Sequence, residues 1–391
     1  MSFILNTILL FSIVNPNSPL DTVGVKNILK GDTLYMQGKY VESNDYYMKA
    51  AKQSKRAGNL DRYASSIYFI GFNLNLLGKY DSSLTLLTNS FEVVKDKLES
   101  PSDAQVYFLD GIARALHLTG HYDISLLKYA ESLEIKRELY GSDSDKIMAS
   151  YTNTGLVYWD KGDLNMGMEY MLKSLNLAYE LFGKDHPNIA RINVNLGAIC
   201  NSLNRHEEAK EHNRKAIKIW LNTIGEIHPV TARAYNNQGV TYSGLGDHKQ
   251  AVLYYKKCIG IRLKTLNPYH PELGTTYNAI GKTYYYMDSL ELAKTYFDKT
   301  LDIFHKTFDH HAYLCITYHD MSSYYFKLNQ IKKALQTIQL AIKFIDKKVG
   351  DNISDDIYSN PGRNALVESN DLLRALNAKG SYFYDLYYQG N

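Results

Sequence analysis

The sequence predicts an all-α solenoid of about eight helical hairpins and the start of a ninth. Three observations carry this prediction. A small residue returns at nearly constant intervals: Gly31, Gly71, Ala113, Gly155, Gly197, Gly239, Gly281 and Ser322, spaced 40, 42, 42, 42, 42, 42 and 41. A turn residue follows seven positions after each: Gly38, Gly78, Gly120, Gly162, Asn204, Gly246, Asp288 and Asn329. Finally, no polar linker interrupts the chain before residue 350, so continuous stacking accounts for a length beyond the usual single core of about 250–300 residues.

Each element follows from these columns. Three residues after the small residue stands a larger one, at Leu34, Leu74, Leu116, Tyr158, Cys200, Tyr242, Tyr284 and Tyr325. Residues three or four apart share a helical face, so small and large alternate on the packing side of a first helix. Gly and Asn tolerate left-handed backbone and end that helix. A second helix then carries two further small columns. One is Ser43, Ser83, Ser125, Gly167, Ala209, Ala251, Ala293 and Ala334. The other is Ala50, Ser90, Ser132, Ser174, Ala216, Cys258, Thr300 and Ala341. A single hairpin cannot bury its own apolar face, so neighbours must stack.

These columns resemble the tetratricopeptide repeat (TPR), whose resemblance implies a right-handed superhelical solenoid over residues 23–349. The usual period is shorter. The 42-residue interval resembles the repeats of kinesin light chains and of many bacterial TPR proteins. His186-Pro187, His228-Pro229 and His270-Pro271, also 42 apart, support that subtype. Pro suits the first turn of a helix, where its missing N–H would have no partner anyway.

The two ends differ from the repeats. Residues 3–14 are apolar on all sides within an N-terminal segment of residues 1–20. That run is short for a membrane span and suits a signal-peptide core, so export is expected, with a cytoplasmic location as the alternative. Residues 350–362 read as a polar loop, and 363–391 as the first helix of an incomplete ninth repeat with Gly380 as its small residue. This end resembles the repeat half of bacterial TPR–CHAT proteins. The resemblance implies a caspase-like effector domain in cis, beyond residue 391, and carries no catalytic residue into this chain.

Bulk composition narrows the function. A net charge of +3 gives no reason to expect nucleic acid as a partner. Three cysteines cannot form a disulfide framework. No phosphate loop, G-x-G-x-x-G, H-E-x-x-H or G-x-S-x-G motif occurs, so neither an enzyme nor a cofactor is expected. The His-Pro histidines lie in different repeats, on helices about 8–10 Å apart, and cannot share one ion at about 2 Å. His311, Cys315 and His319 are four apart and of zinc-ligand type, with His310 or Asp320 as a fourth; they are a weak metal candidate.

The stronger signal lies on the face of the first helix opposite its packing side. Two positions before the small residue stand Asn153, Asn195 and Asn237; six before stand Arg191 and Arg233; Asn236 and Asn278 flank the line. Amides offer paired donors and acceptors to the backbone of an extended peptide, and guanidinium adds carboxylate recognition. The expected partner is a protein whose peptide or helical segment binds along this stripe, in the concave groove of the solenoid. In the resembled family, Asn and basic residues here commonly grip peptides.

Overall fold

The computed structural model describes residues 24–309, 311–344 and 370–389. The apolar segment 3–14, the polar loop 350–362 and His310 lie outside the described residues. The chain divides into two units, Met1–Ile192 and Asn193–Asn391. Both are all-α, right-handed TPR-like stacks of paired antiparallel helices. Among the described residues, no helix is long and apolar enough to cross a membrane.

The first unit holds four hairpins. They are α1 (Val25–Met36) with α2 (Tyr40–Arg56), α3 (Leu60–Leu76) with α4 (Tyr80–Val94), α5 (Asp103–Leu118) with α6 (Tyr122–Tyr140), and α7 (Asp145–Lys161) with α8 (Leu164–Phe182). Helix α9 (Pro187–Ser202) spans the division and pairs with α10 (His206–Thr223). The second unit continues with α11 (Pro229–Gly244) and α12 (His248–Thr265), α13 (Pro271–Tyr286) and α14 (Leu290–Thr307), and α15 (Ala312–Lys327) and α16 (Ile331–Phe344). The helix α17 (Asn370–Gln389) stands where the first helix of a ninth hairpin is expected.

All eight anticipated turn residues adopt positive φ. The five glycines range from 72° to 93°, while Asn204, Asp288 and Asn329 lie at 57° to 60°. Those three are the only non-glycine residues with positive φ among the described residues, so the left-handed turn is retained even without glycine.

The small column faces the second helix of its own hairpin. Sixteen residues further on is its partner, usually large: Tyr47, Leu87, Tyr129, Met171, Asn213, Tyr255, Phe297 and Ile338, all buried. A Cβ on Gly239 would come within 2.5 Å of the Tyr255 ring, and one on Gly31 within 2.7 Å of Tyr47. The small residue thus makes room for a large one, which fills the groove between the helices. In the first three hairpins the hydroxyls of Ser43, Ser83 and Ser125 donate to the carbonyls of Gly31, Gly71 and Ala113 at 2.7–2.9 Å.

The column three residues after the small one behaves less uniformly. Leu34, Leu116 and Cys200 are buried, whereas Tyr158, Tyr242 and Tyr284 are half-buried. These tyrosines stack on Tyr170, Tyr254 and Tyr296 of the second helices at 5.3–5.6 Å between centroids. Helix α17 packs on the preceding hairpin. Tyr382 stacks on Phe326 at 4.7 Å, and the Lys379 ammonium donates to Gln339 Oε1 at 2.6 Å. A Cβ on Gly380 would meet nothing within 4 Å.

Candidate functional site

Four first helices begin with a histidine at the N-cap. In each, Nδ1 accepts the backbone N–H two residues on: His186 from Asn188 (3.2 Å), His228 from Val230 (3.3 Å), His270 from Glu272 (3.3 Å) and His311 from Tyr313 (3.0 Å). Burial holds all four imidazoles below the usual histidine value, so the neutral, accepting form is favoured.

His311 belongs both to this set of caps and to the weak metal candidate. His311 precedes α15 as its cap and stacks on Phe308 at 4.2 Å, so its ring is committed to the turn. Cys315 is 1% exposed in the apolar core, and His319 Nδ1 lies 3.7 Å from Asp320. Among the described residues, no group of three or more His, Cys, Asp or Glu side chains could hold a metal ion. Cys200 and Cys258 are likewise buried core residues; desolvation pushes the Cys200 thiol up to about 11. They have the environment of inert packing cysteines rather than of nucleophiles.

The polar stripe is best described in the second unit. Asn195 is 2% exposed, and its Oδ1 accepts from Arg233 Nη2 at 3.1 Å. That bond fixes the amide's orientation and leaves its Nδ2 buried with no hydrogen-bond partner. Asn237 Nδ2 donates to the Val194 carbonyl at 3.4 Å, a long and weak bond. Asn278 Nδ2 donates to Asp320 Oδ2 at 2.8 Å, and its own Oδ1 is buried with no partner. The stripe residues therefore bridge successive first helices, 38 to 43 residues apart in sequence.

Asn236 belongs to a different network. Its Oδ1 accepts from Thr276 Oγ1 at 3.1 Å. Thr276 also meets Arg262, which is 4% exposed and pairs with Glu272 at 2.8 Å. That charge is buried, paired and hydrogen-bonded, the condition under which buried ions are tolerated. In the first unit, Asn153 and Arg191 are half-buried on α7 and α9. A shallow concavity there, formed by Tyr63 and the Thr85–Leu86–Asn89–Val93 face of α4, contains none of the anticipated residues.

Sequence reading overlooked Asp320 as part of the stripe. It sits two residues before Ser322, in the column of Asn195 and Asn237. The 41-residue interval and the change from amide to carboxylate obscured it. The register of the small residue was the signal that places it.

Comparison with known proteins agrees with this architecture. The tetratricopeptide repeat profile matches residues 146–222, 188–264, 230–304 and 272–346, together just over half of the chain. No curated protein matches the sequence. Among solved structures, the apo form of RapI is similar over 92% of this chain and 98% of its own, with a TM-score of 0.60 and 15% identity. A Rap protein complexed with Competence and Sporulation Factor covers 92% of this chain and 99% of its own, with a TM-score of 0.58 and 13% identity. BtubC from P. vanneervenii covers 57% of this chain and 90% of its own, with a TM-score of 0.50 and 20% identity. At these identities the likeness is one of fold. With its repeat columns, helical hairpins and profile match in agreement, the chain belongs to the tetratricopeptide repeat family.

Proposed function

We propose that this chain is a non-enzymatic interaction scaffold that takes an extended peptide along the first-helix stripe of its second unit. The observation that carries this reading is Asn195, a buried amide with one donor hydrogen-bonded to nothing, beside the Arg233 guanidinium. A buried polar group without a partner costs about 1–3 kcal/mol, and a peptide carbonyl or carboxylate reaching Nδ2 would recover that cost. The weak Asn237 bond is a second place where a ligand backbone could compete. A Rap protein of this fold is complexed with Competence and Sporulation Factor, a precedent for occupancy of such a scaffold. We also group the repeats with the 42-residue, kinesin-light-chain-like kind, on the strength of their interval.

The test is binding to peptides selected from a random library by the full chain. Asn195→Ala with Arg233→Ala is expected to weaken binding roughly 10- to 100-fold, the loss of one or two charge-assisted hydrogen bonds. Unchanged affinity in a variant that melts like the wild type would mean that the stripe only ties helices together. Asn236→Ala should instead lower stability and leave affinity unchanged, because Asn236 is part of the Thr276–Arg262 network.

A further inference from the structure

The far end of the stripe carries chemistry opposite to that of Arg233. On α15, Asp320 is 8% exposed, yet only one of its carboxylate oxygens is closely held. Oδ2 accepts from Asn278 at 2.8 Å. Oδ1 has the Lys282 ammonium and the His319 imidazole near it but beyond hydrogen-bond distance: Lys282 Nζ and His319 Nδ1, each at 3.7 Å. The bond from Asn278 Nδ2 also fixes that amide, so the buried atom left without a partner is an acceptor, Asn278 Oδ1. Asp320 and Asn278, joined by one hydrogen bond, thus each keep one under-satisfied acceptor, that of Asn278 buried in the unliganded fold. At the Asn195 end the atom without a partner is a donor.

We propose that Asp320 and Asn278 form a subsite for a cationic side chain, arginine above all, of a peptide lying along the stripe. A guanidinium has several N–H donors in a planar fork and can serve a carboxylate oxygen and a neighbouring amide oxygen together. Lys282 is the resident placeholder. Its side chain is 48% exposed, so it gives way to a ligand cation at little cost, and its 3.7 Å separation is a loose ion pair. The stripe then has a direction: carbonyl or carboxylate toward Asn195 and Arg233, basic side chain toward Asp320.

The subsite rests on the stripe being the binding face, and the experiment separates the two claims. Peptides are selected from a random decapeptide library by the full chain. The best arginine-containing peptide is then compared with its citrulline counterpart, which keeps the shape and loses the charge. Wild type should prefer arginine roughly 10- to 100-fold, and Asp320→Asn should abolish that preference while still binding the citrulline peptide. Lys282→Ala should bind the arginine peptide more tightly than wild type. Equal affinity for the two peptides on wild type, or an undiminished preference on Asp320→Asn, overturns the subsite and leaves the groove standing if Asn195→Ala with Arg233→Ala still weakens binding. Selected peptides indifferent to that double variant, or a library that returns no binder, overturn both.

Discussion

At the scale of single residues, the fold depends on close pairs of a small and a large side chain. Gly239 faces the Tyr255 ring, which is 2% exposed and has no room to retreat. Gly239→Ala would gain about 1 kcal/mol of helix propensity, but it places a methyl within 2.5 Å of that ring. Overpacking costs about 1–3 kcal/mol, and a 2.5 Å approach belongs in the upper part of that range, so the net effect is expected to be a loss of about 1–2 kcal/mol in urea unfolding. Wild-type or greater stability would show that the hairpin opens freely. The third hairpin holds Ala113 opposite Tyr129, both buried, so each repeat sets its own spacing between the same two columns.

At the scale of the helix, the starts are the distinctive feature. Four first helices are capped by a neutral imidazole. Burial depresses those histidines in the fold, so the unfolded chain takes up protons first as pH falls. Their contribution to stability is complete above the unfolded value near 6.5 and is lost as pH drops below it toward the folded values. The denaturant midpoint should therefore fall between pH 7.5 and pH 5, a window above most carboxylate titration. His228→Asn keeps an N-cap acceptor without the titration, so it should flatten part of that slope. An identical slope in the variant would show that the His228 cap does not contribute.

At the scale of the whole molecule, stability is a sum over hairpins and their interfaces, since each repeat touches only its neighbours. Helix α17 is the instructive case. It buries Tyr382 and Ala375 and covers Gln339 with the Lys379 ammonium. A chain ending at residue 349 should lose about 2–3 kcal/mol from the preceding hairpin, read as a lower unfolding midpoint for the second unit. No change would mean that α17 rests on the stack without stabilising it. The buried ion pairs are also local to a repeat or its neighbour. Lys136, 2% exposed, meets Asp110 at 2.7 Å and Ser150 at 2.7 Å.

What could be read from the chain alone was whatever depends on nearby residues. A residue that tolerates positive φ, a proline after a histidine, and small and large side chains at helical spacing each act within one or two turns, and they recur at every repeat. Those features gave the hairpins, the eight left-handed turns and the helix starts. What needed the tertiary structure was every property set by a helix some 40 residues away. Asn195 is buried against Arg233, 38 residues on, and Asn278 is bound to Asp320, 42 residues on. Spacing made His311 no more than a weak metal candidate, and periodicity cannot tell a helical position from the cap before it. The tertiary structure shows its cap bond to Tyr313 and its ring stacked on Phe308. Periodicity identifies a shared face; only packing against the next repeat decides which atoms on that face are already bonded and which remain for a ligand.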